Sequence, residues 1–310
     1  MAFSTRKDSL LAKIETTEGV DAVPTGASNA ILCTGLNLVP MNMTPVDRAL
    51  NRAYFGASEQ IPGQVYQAVD FEVEIAGAGA AGTAPAWGPL LRACGFAETI
   101  TAATKVDYNP ISSSLPSLTL YVYKDGLLHK MLGCRGNVSF DLPNQGIGRM
   151  KFTFWGSFAA PTDATLASAT YTAFQKPVPI NATNTTPFTL HGVSPVTASV
   201  SFDMANRLVN RDLVNGTRSI MLTNREPSGS INFETVPVAT KAWVSIASAA
   251  TTAVMSLKHG QTAGNIVQFD APLVQVLNPQ YGDQDFVSMM TLGLRLVPNA
   301  GNDELIISVK

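Results

Sequence analysis

Apolar and polar residues alternate most clearly at positions 71–75, where Phe71, Val73 and Ile75 are interleaved with Glu72 and Glu74. This period of two predicts a strand with one buried and one wet face. Trp87, Leu90, Leu91 and Cys94 then recur at helical spacing, which predicts a short helix whose apolar stripe covers that buried face. Between them lies a glycine- and alanine-rich connection, and Pro85 and Pro89 push the helix start away from it, with Thr83 as the expected cap. Residues 118–123 and 127–132 are apolar runs around Lys124-Asp125-Gly126, a strong short-range hairpin signal. Residues 137–142 and 149–155 alternate on either side of Pro143-Asn144-Gln145-Gly146 and predict a second hairpin. A sheet closing near Phe158 follows from these segments.

The remaining segments are less periodic. Residues 1–30 are polar and interrupted by Gly19, Pro24 and Gly26, so they are expected to form an N-terminal arm rather than a core element. Residues 31–43 resemble a strand stopped near Pro45. Residues 46–69 are expected to be an extended loop, and loops of that length inside a domain are usually functional or disordered. Arg48, Arg52, Tyr54 and Phe55 lie on it and mark it for inter-subunit contact, since aromatics and Arg are enriched where proteins meet. Residues 97–117, rich in Thr, Ser and Pro, are expected to be a connection. Residues 159–192 are read as a linker or a small appended strand pair.

Beyond residue 192 the first half returns. Arg48-Ala-Leu-Asn-Arg52 is echoed by Arg207-Leu-Val-Asn-Arg211, and Phe71-Glu-Val-Glu-Ile75 by Ile231-Asn-Phe-Glu-Thr235. Ala86-Trp87 is matched by Ala242-Trp243, Lys124-Asp125-Gly126 by Lys258-His259-Gly260, and Gln145-Gly146 by Tyr281-Gly282. Five matches in one order at similar spacing predict an internal duplication. The expected organisation is therefore an arm at 1–30, a first domain at 31–158, a linker at 159–192 and a second domain at 193–310. The fold class expected is mainly β with short flanking helices (α+β), in two similar units that each carry one helix on a sheet.

Composition narrows the function. Charged residues make up only 14% of the 310 and the net charge is -2, so there is no long-range pull on nucleic acid. A large uncharged surface instead favours self-association. Cys33, Cys94 and Cys134 stand far apart without a C-x-x-C pair, which suggests neither zinc nor a disulfide framework. The opening residues lack the apolar run of a signal peptide, and no window approaches the roughly 20 apolar residues of a membrane span, so cytoplasmic synthesis without membrane contact is expected.

Candidate chemistry is thin. Gly77, Gly79 and Gly82 spell G-x-G-x-x-G after a strand, but a dinucleotide site needs a strand buried on both faces, which Glu72 and Glu74 contradict. His129, His191 and His259 lie at no ligand spacing from one another or from Cys. Asp283-Gln284-Asp285 lacks the glycine and spacing of a calcium loop. No catalytic residue, cofactor or metal site is expected.

The run from Gly77 through Ala86-Trp87-Gly88-Pro89-Leu90-Leu91-Arg92-Ala93-Cys94-Gly95-Phe96 completes the pattern, together with Arg6-Lys7-Asp8-Ser9-Leu10-Leu11-Ala12-Lys13 and Glu18-Gly19-Val20. It resembles the major tail tube proteins of phages with long non-contractile tails, strongly over residues 1–158 and more thinly beyond. The resemblance implies a β-sandwich or barrel-like sheet flanked by a helix, and rings that stack so that inner sheets join into a channel for DNA. It also implies a virion location, self-association, and tape measure, tail terminator and distal tail proteins as partners. Many relatives form hexameric rings of single domains; a duplicated chain implies a trimeric ring with pseudo-sixfold symmetry. On that reading Glu72 and Glu74 face the lumen, where a non-basic wall lets DNA slide, because phosphate affinity comes mainly from Lys and Arg. A secretion-type tube and a ligand-binding β-sandwich module are the alternatives.

Overall fold

The computed structural model describes residue 4 and residues 6–310, and the fold is mainly β. The first half contains β1 (Asp8–Ile14), α1 (Gly26–Asn29), β2 (Ala30–Ile31), β3 (Thr34–Val46), β4 (Ile61–Glu74), α2 (Gly88–Ala93), β5 (Phe96–Thr101), β6 (Lys105–Pro110), β7 (Leu118–Lys124), β8 (Leu127–Pro143) and β9 (Arg149–Ser157). Next come β10 (Thr162–Asp163), β11 (Phe188–Leu190), β12 (Thr197–Asp203), β13 (Asn206–Arg211), β14 (Ser219–Arg225) and β15 (Ser228–Glu234). The chain ends with α3 (Trp243–Ser248), β16 (Thr252–His259), β17 (Val267–Gln284), β18 (Val287–Val297) and β19 (Ile306–Val309).

Strand pairing gives the same order twice. In the first half the antiparallel ladder runs β1-β7-β8-β9-β4-β3. In the second it runs β11-β16-β17-β18-β15-β12. α2 lies in the chain between β4 and β7, and α3 between β15 and β16. Three of the five sequence echoes fall on corresponding elements: Phe71 and Ile231 on β4 and β15, Trp87 and Trp243 at the helix starts, and Lys124 and Lys258 at the ends of β7 and β16. Two do not. Arg48 sits in a hairpin loop whereas Arg207 is in β13, and Gln145-Gly146 form a turn whereas Tyr281-Gly282 lie inside β17.

Each half is a sandwich in which one long strand serves both layers. The start of β8 pairs with β7, and after a bulge between Leu132 and Arg135 its end pairs with β9. Bulges bend and twist a strand, which carries it from one layer into the other. The inward faces supply Phe71, Phe152 and Phe154, stacked at centroid distances of 5.5 to 5.9 Å, and the second half supplies Phe202, Phe233 and Phe269. Such aromatic pairs add stabilisation beyond the area they bury. The Trp87 indole N–H donates to the Ala76 carbonyl at 2.9 Å and its ring packs on Tyr108, which pins the helix to the end of β4. Trp87, Leu90, Leu91 and Cys94 are all buried, so the apolar stripe does cover the sheet. The helix itself begins at Gly88 with Trp87 at its cap rather than Thr83, and the backbone at Gly77 and Gly79 before it is committed elsewhere.

That commitment explains the glycine run. The Gly79 amide donates to the Gly264 carbonyl at 2.9 Å, the Gly77 amide to the Asn265 side-chain oxygen at 2.7 Å, and a Cβ on Gly77 would lie 2.2 Å from the Gly264 carbonyl oxygen. The glycines let a loop of one half touch the backbone of the other.

Four expectations change. The segment read as an arm contains β1, whose Leu10, Leu11 and Ala12 are buried and whose seven residues all pair with β7; the run Leu10-Leu11-Ala12 is too short to show a period but long enough to fill a core strand. Residues 46–69 are not one loop: β3 and β4 extend into them and only residues 47–60 connect the two strands. Pro40 and Pro45 are tolerated in β3 because it is an edge strand. Residues 97–117 hold the β5–β6 hairpin, and β6 also pairs with β19. Residues 159–192 include β11, which joins the second ladder, and Ile180, which is buried.

Candidate functional site

The central feature is a sheet of eight strands that runs through both halves without interruption. The end of β8 pairs with β12, matching Asp141 to Ser201, Phe140 to Phe202 and Ser139 to Asp203. The order is therefore β3-β4-β9-β8-β12-β15-β18-β17. One face of this sheet is core. The other is polar: a single row crosses all eight strands as Thr34, Glu72, Lys151, Ser139, Asp203, Ser228, Arg295 and Gln275. Neighbouring rows carry Asp70, Thr153 and Asn137 on one side and Glu74, Arg149, Asp141, Ser201 and Ser230 on the other.

Acids dominate that face. Asp70, Glu72, Glu74, Asp141, Asp203 and Glu234 stand against Arg149, Lys151 and Arg295. Hydrogen bonds knit it together: Arg149 donates to Glu72 at 2.8 Å, Thr153 to Asp70 at 2.6 Å, Asn137 to Asp203 at 2.7 Å, and the Ser201 and Ser230 hydroxyls meet at 3.0 Å. The bond to Glu72 leads the effects that raise the Arg149 pKa, so the guanidinium stays charged. A face of short, mutually bonded side chains presents acceptors and few free cations to whatever lies over it.

The second feature is a set of hairpins that carry apolar side chains at their tips. Arg48 and Arg52 both reach Glu59 across the β3–β4 loop, Arg52 at 3.7 Å. Tyr54 and Phe55 beyond them are exposed. The sequence-predicted contact residues are thus gathered at one tip, two of them used to brace it and two left in solvent. Glu72 and Glu74 lie at the far end of the same hairpin, roughly 35 Å away at about 3.3 Å per residue along β4. They are half-buried on the polar face, beside Thr34 and the 173–175 segment. Two further tips escaped the sequence reading: Leu213 and Val214 between β13 and β14, and Phe286 between β17 and β18. Phe286 is next to Asp285 in a two-residue turn with positive φ at both positions, and the signal for it was the Gly-Asp-Gln-Asp run after Tyr281.

Both surfaces are held rigidly from behind. Arg225 at the base of the β13–β14 hairpin pairs with the buried Glu304 and donates to the Ile111 carbonyl at 2.6 Å. Arg135 joins Glu18, the Ile220 carbonyl and the Leu115 carbonyl. Buried Glu15 accepts from the Gly19 and Gly133 amides and from the Ser117 and Thr119 hydroxyls, so the segment read as an arm is bolted into the first sandwich.

A model of the phage tail tube protein family matches residues 5–289. The chain belongs to that family. No curated protein matches. As a tail tube family member it is a structural virion protein. Cys94 and Cys134 are buried free thiols whose pKa values burial raises, and burial pushes Cys33 up to about 12, so none is a ready nucleophile. The imidazoles of His129, His191 and His259 are buried and biased toward the neutral form by desolvation. His191 contacts the Val274 carbonyl at 2.7 Å and His259 the Thr185 hydroxyl at 2.9 Å. Among the described residues no group of three or more His, Cys, Asp or Glu is placed to hold a metal ion, and no helix is long and apolar enough to cross a membrane.

Proposed function

We propose that this chain is a duplicated tail tube subunit that assembles as a trimeric, pseudo-sixfold ring, and that stacked rings enclose the channel through which the genome passes. The observation that carries the reading is the eight-stranded sheet with a polar face and two open ends. Three copies supply 24 such strands, and at about 4.8 Å between strands that gives a circumference near 115 Å and a diameter near 37 Å before tilt. Barrels of 16 to 18 strands already leave an aqueous channel, so a ring of this size is hollow. The matching strand order of the two halves supports duplication, and duplication supports a trimer in place of a hexamer.

In this reading the polar face lines the lumen, with Glu72 and Glu74 among its acids. Paired Arg149 and Lys151 offer little to phosphates, so the duplex slides without specific binding. The β3–β4 loop with Arg48, Arg52, Tyr54 and Phe55 projects from the sheet and contacts neighbouring subunits, joined by the tips at Val214 and Phe286. Exposed aromatic tips on rigid hairpins suit docking into an adjacent ring. The subunit does no catalysis. It is made in the host cytoplasm and carried in the virion tail, where tape measure, terminator and distal tail proteins meet its lumen and ends. Negative-stain microscopy of the purified protein tests this: rings or hollow filaments are expected, and dispersed monomers at high concentration would overturn it.

A further inference from the structure

The junction inside one chain predicts the junction between chains. β4 and β15 correspond at Phe71 and Ile231, which are both core-facing. On one side of β4, Asp70 is opposite Asn37, and its counterpart Ser230 is opposite Ser201, so Asn37 takes the place of Ser201. On the other side, Glu74 leads to Arg149 and then Asp141, while the counterpart Glu234 leads to Met289 and then Gly282, so Gly282 takes the place of Asp141. Within the chain Asp141 is opposite Ser201. Resting on the tube reading above, we infer that residues 280–284 of one copy pair antiparallel with residues 35–39 of the next, placing Gly282 opposite Asn37, Tyr281 opposite Leu38 and Gln280 opposite Val39.

Three observations carry this. Among the described residues, β3 pairs only with β4, and residues 280–284 pair only with β18, so both outer edges have unmatched backbone groups. Burial differs as a missing neighbour requires. Phe140 is 1% exposed and its counterpart Tyr281 is 70% exposed; Val200 and Phe202 are buried while Leu36 and Leu38 are half-buried. Finally, Pro40 directly follows one segment and Pro279 directly precedes the other, so residues lacking an N–H bound the free ladder on both strands. Each copy carries one edge of each kind, which makes the contact head-to-tail and lets it close a ring.

The test uses full-length protein with Cys33→Ser as background. Asn37→Cys with Gly282→Cys is compared with the in-chain pair Ser201→Cys with Asp141→Cys, using a short bifunctional thiol reagent. Gly282 has room for the change, since a Cβ there meets only the Met289 Cβ at 4.0 Å. We expect the first pair to link chains into dimers and closed trimers at least 10-fold faster than Asn37→Cys with Val254→Cys, and the second to link within a monomer. If wild-type rings are visible but the first pair stays unlinked while the in-chain pair reacts, this register is wrong and the tube reading survives. If the wild type forms no rings, both fall. Hydrogen exchange of the wild type decides independently of any variant: residues 35–39 and 280–284 must gain protection on assembly, and unchanged exchange in both overturns the inference.

Discussion

β12 and β3 occupy equivalent places in their ladders, yet one is a core strand and the other an edge. β12 is flanked by β8 and β15, and its Val200 and Phe202 are sealed; β3 has only β4, and its Leu36 and Leu38 are half in solvent. The difference does not come from weaker hydrophobicity, since both strands alternate apolar and small polar residues. It comes from whether a neighbour is tethered in the same chain. What covalent linkage supplies at β12, assembly is proposed to supply at β3.

The largest expected effect breaks the tethered side. Phe140→Ala removes a ring packed on Phe269 at 5.2 Å, and should lower stability by about 3–5 kcal/mol in urea titrations. Its counterpart Tyr281→Ala should leave the isolated monomer within about 0.5 kcal/mol while abolishing ring formation by analytical ultracentrifugation. Equal losses in the monomer would erase the contrast between the two strands.

The helix anchors give the next effect. Trp87→Phe leaves the Ala76 carbonyl without its donor and should cost roughly 1–3 kcal/mol more than the packing loss alone. The buried indole N–H of Trp243 has no partner, so Trp243→Phe should lose only packing. A thermal melt of the two variants ranks them, and a reversed order would mean the two helices are not held as described.

Acid acts on both halves. The folded-state pKa values of His129, His191 and His259 lie below the unfolded value of about 6.5, so the unfolded chain binds more protons between the two. Stability is full above about pH 6.5 and declines as pH falls through that value toward the lower folded-state pKa values. His191→Gln should flatten part of this slope in melts between pH 7 and pH 5. The smallest monomer effect belongs to the hairpin tip: Tyr54→Ala with Phe55→Ala should change stability by less than about 0.5 kcal/mol yet reduce filament length in electron micrographs.

Much of the fold was legible because its strands alternate. The Glu72 and Glu74 pattern, the Asp125-Gly126 turn and the Trp87 stripe each encode a local structure that the core then uses. What escaped the sequence was non-local. β1 shows no alternation because Leu10, Leu11 and Ala12 are consecutive and all buried, while β6 and β11 are short strands stabilised by pairing with β19 and β16, far away in the chain. Of the candidate site, the exposure of Tyr54 and Phe55 could be read from their place in a long polar stretch. The polar face could not, since it exists only once β8 meets β12 and brings Ser139 beside Asp203. The glycine run carried a misleading motif because close backbone approach to Gly264 and to a phosphate demand the same residue.

In the proposed tube, one eight-stranded sheet per copy closes with its neighbours around an open axis. An electron cryomicroscopy map of the assembled particle would decide this closure. Three chains per ring, 24 continuous strands and Glu72 facing the channel are expected; a globule with sealed sheets, or a ring with Glu72 on its outer surface, would contradict it.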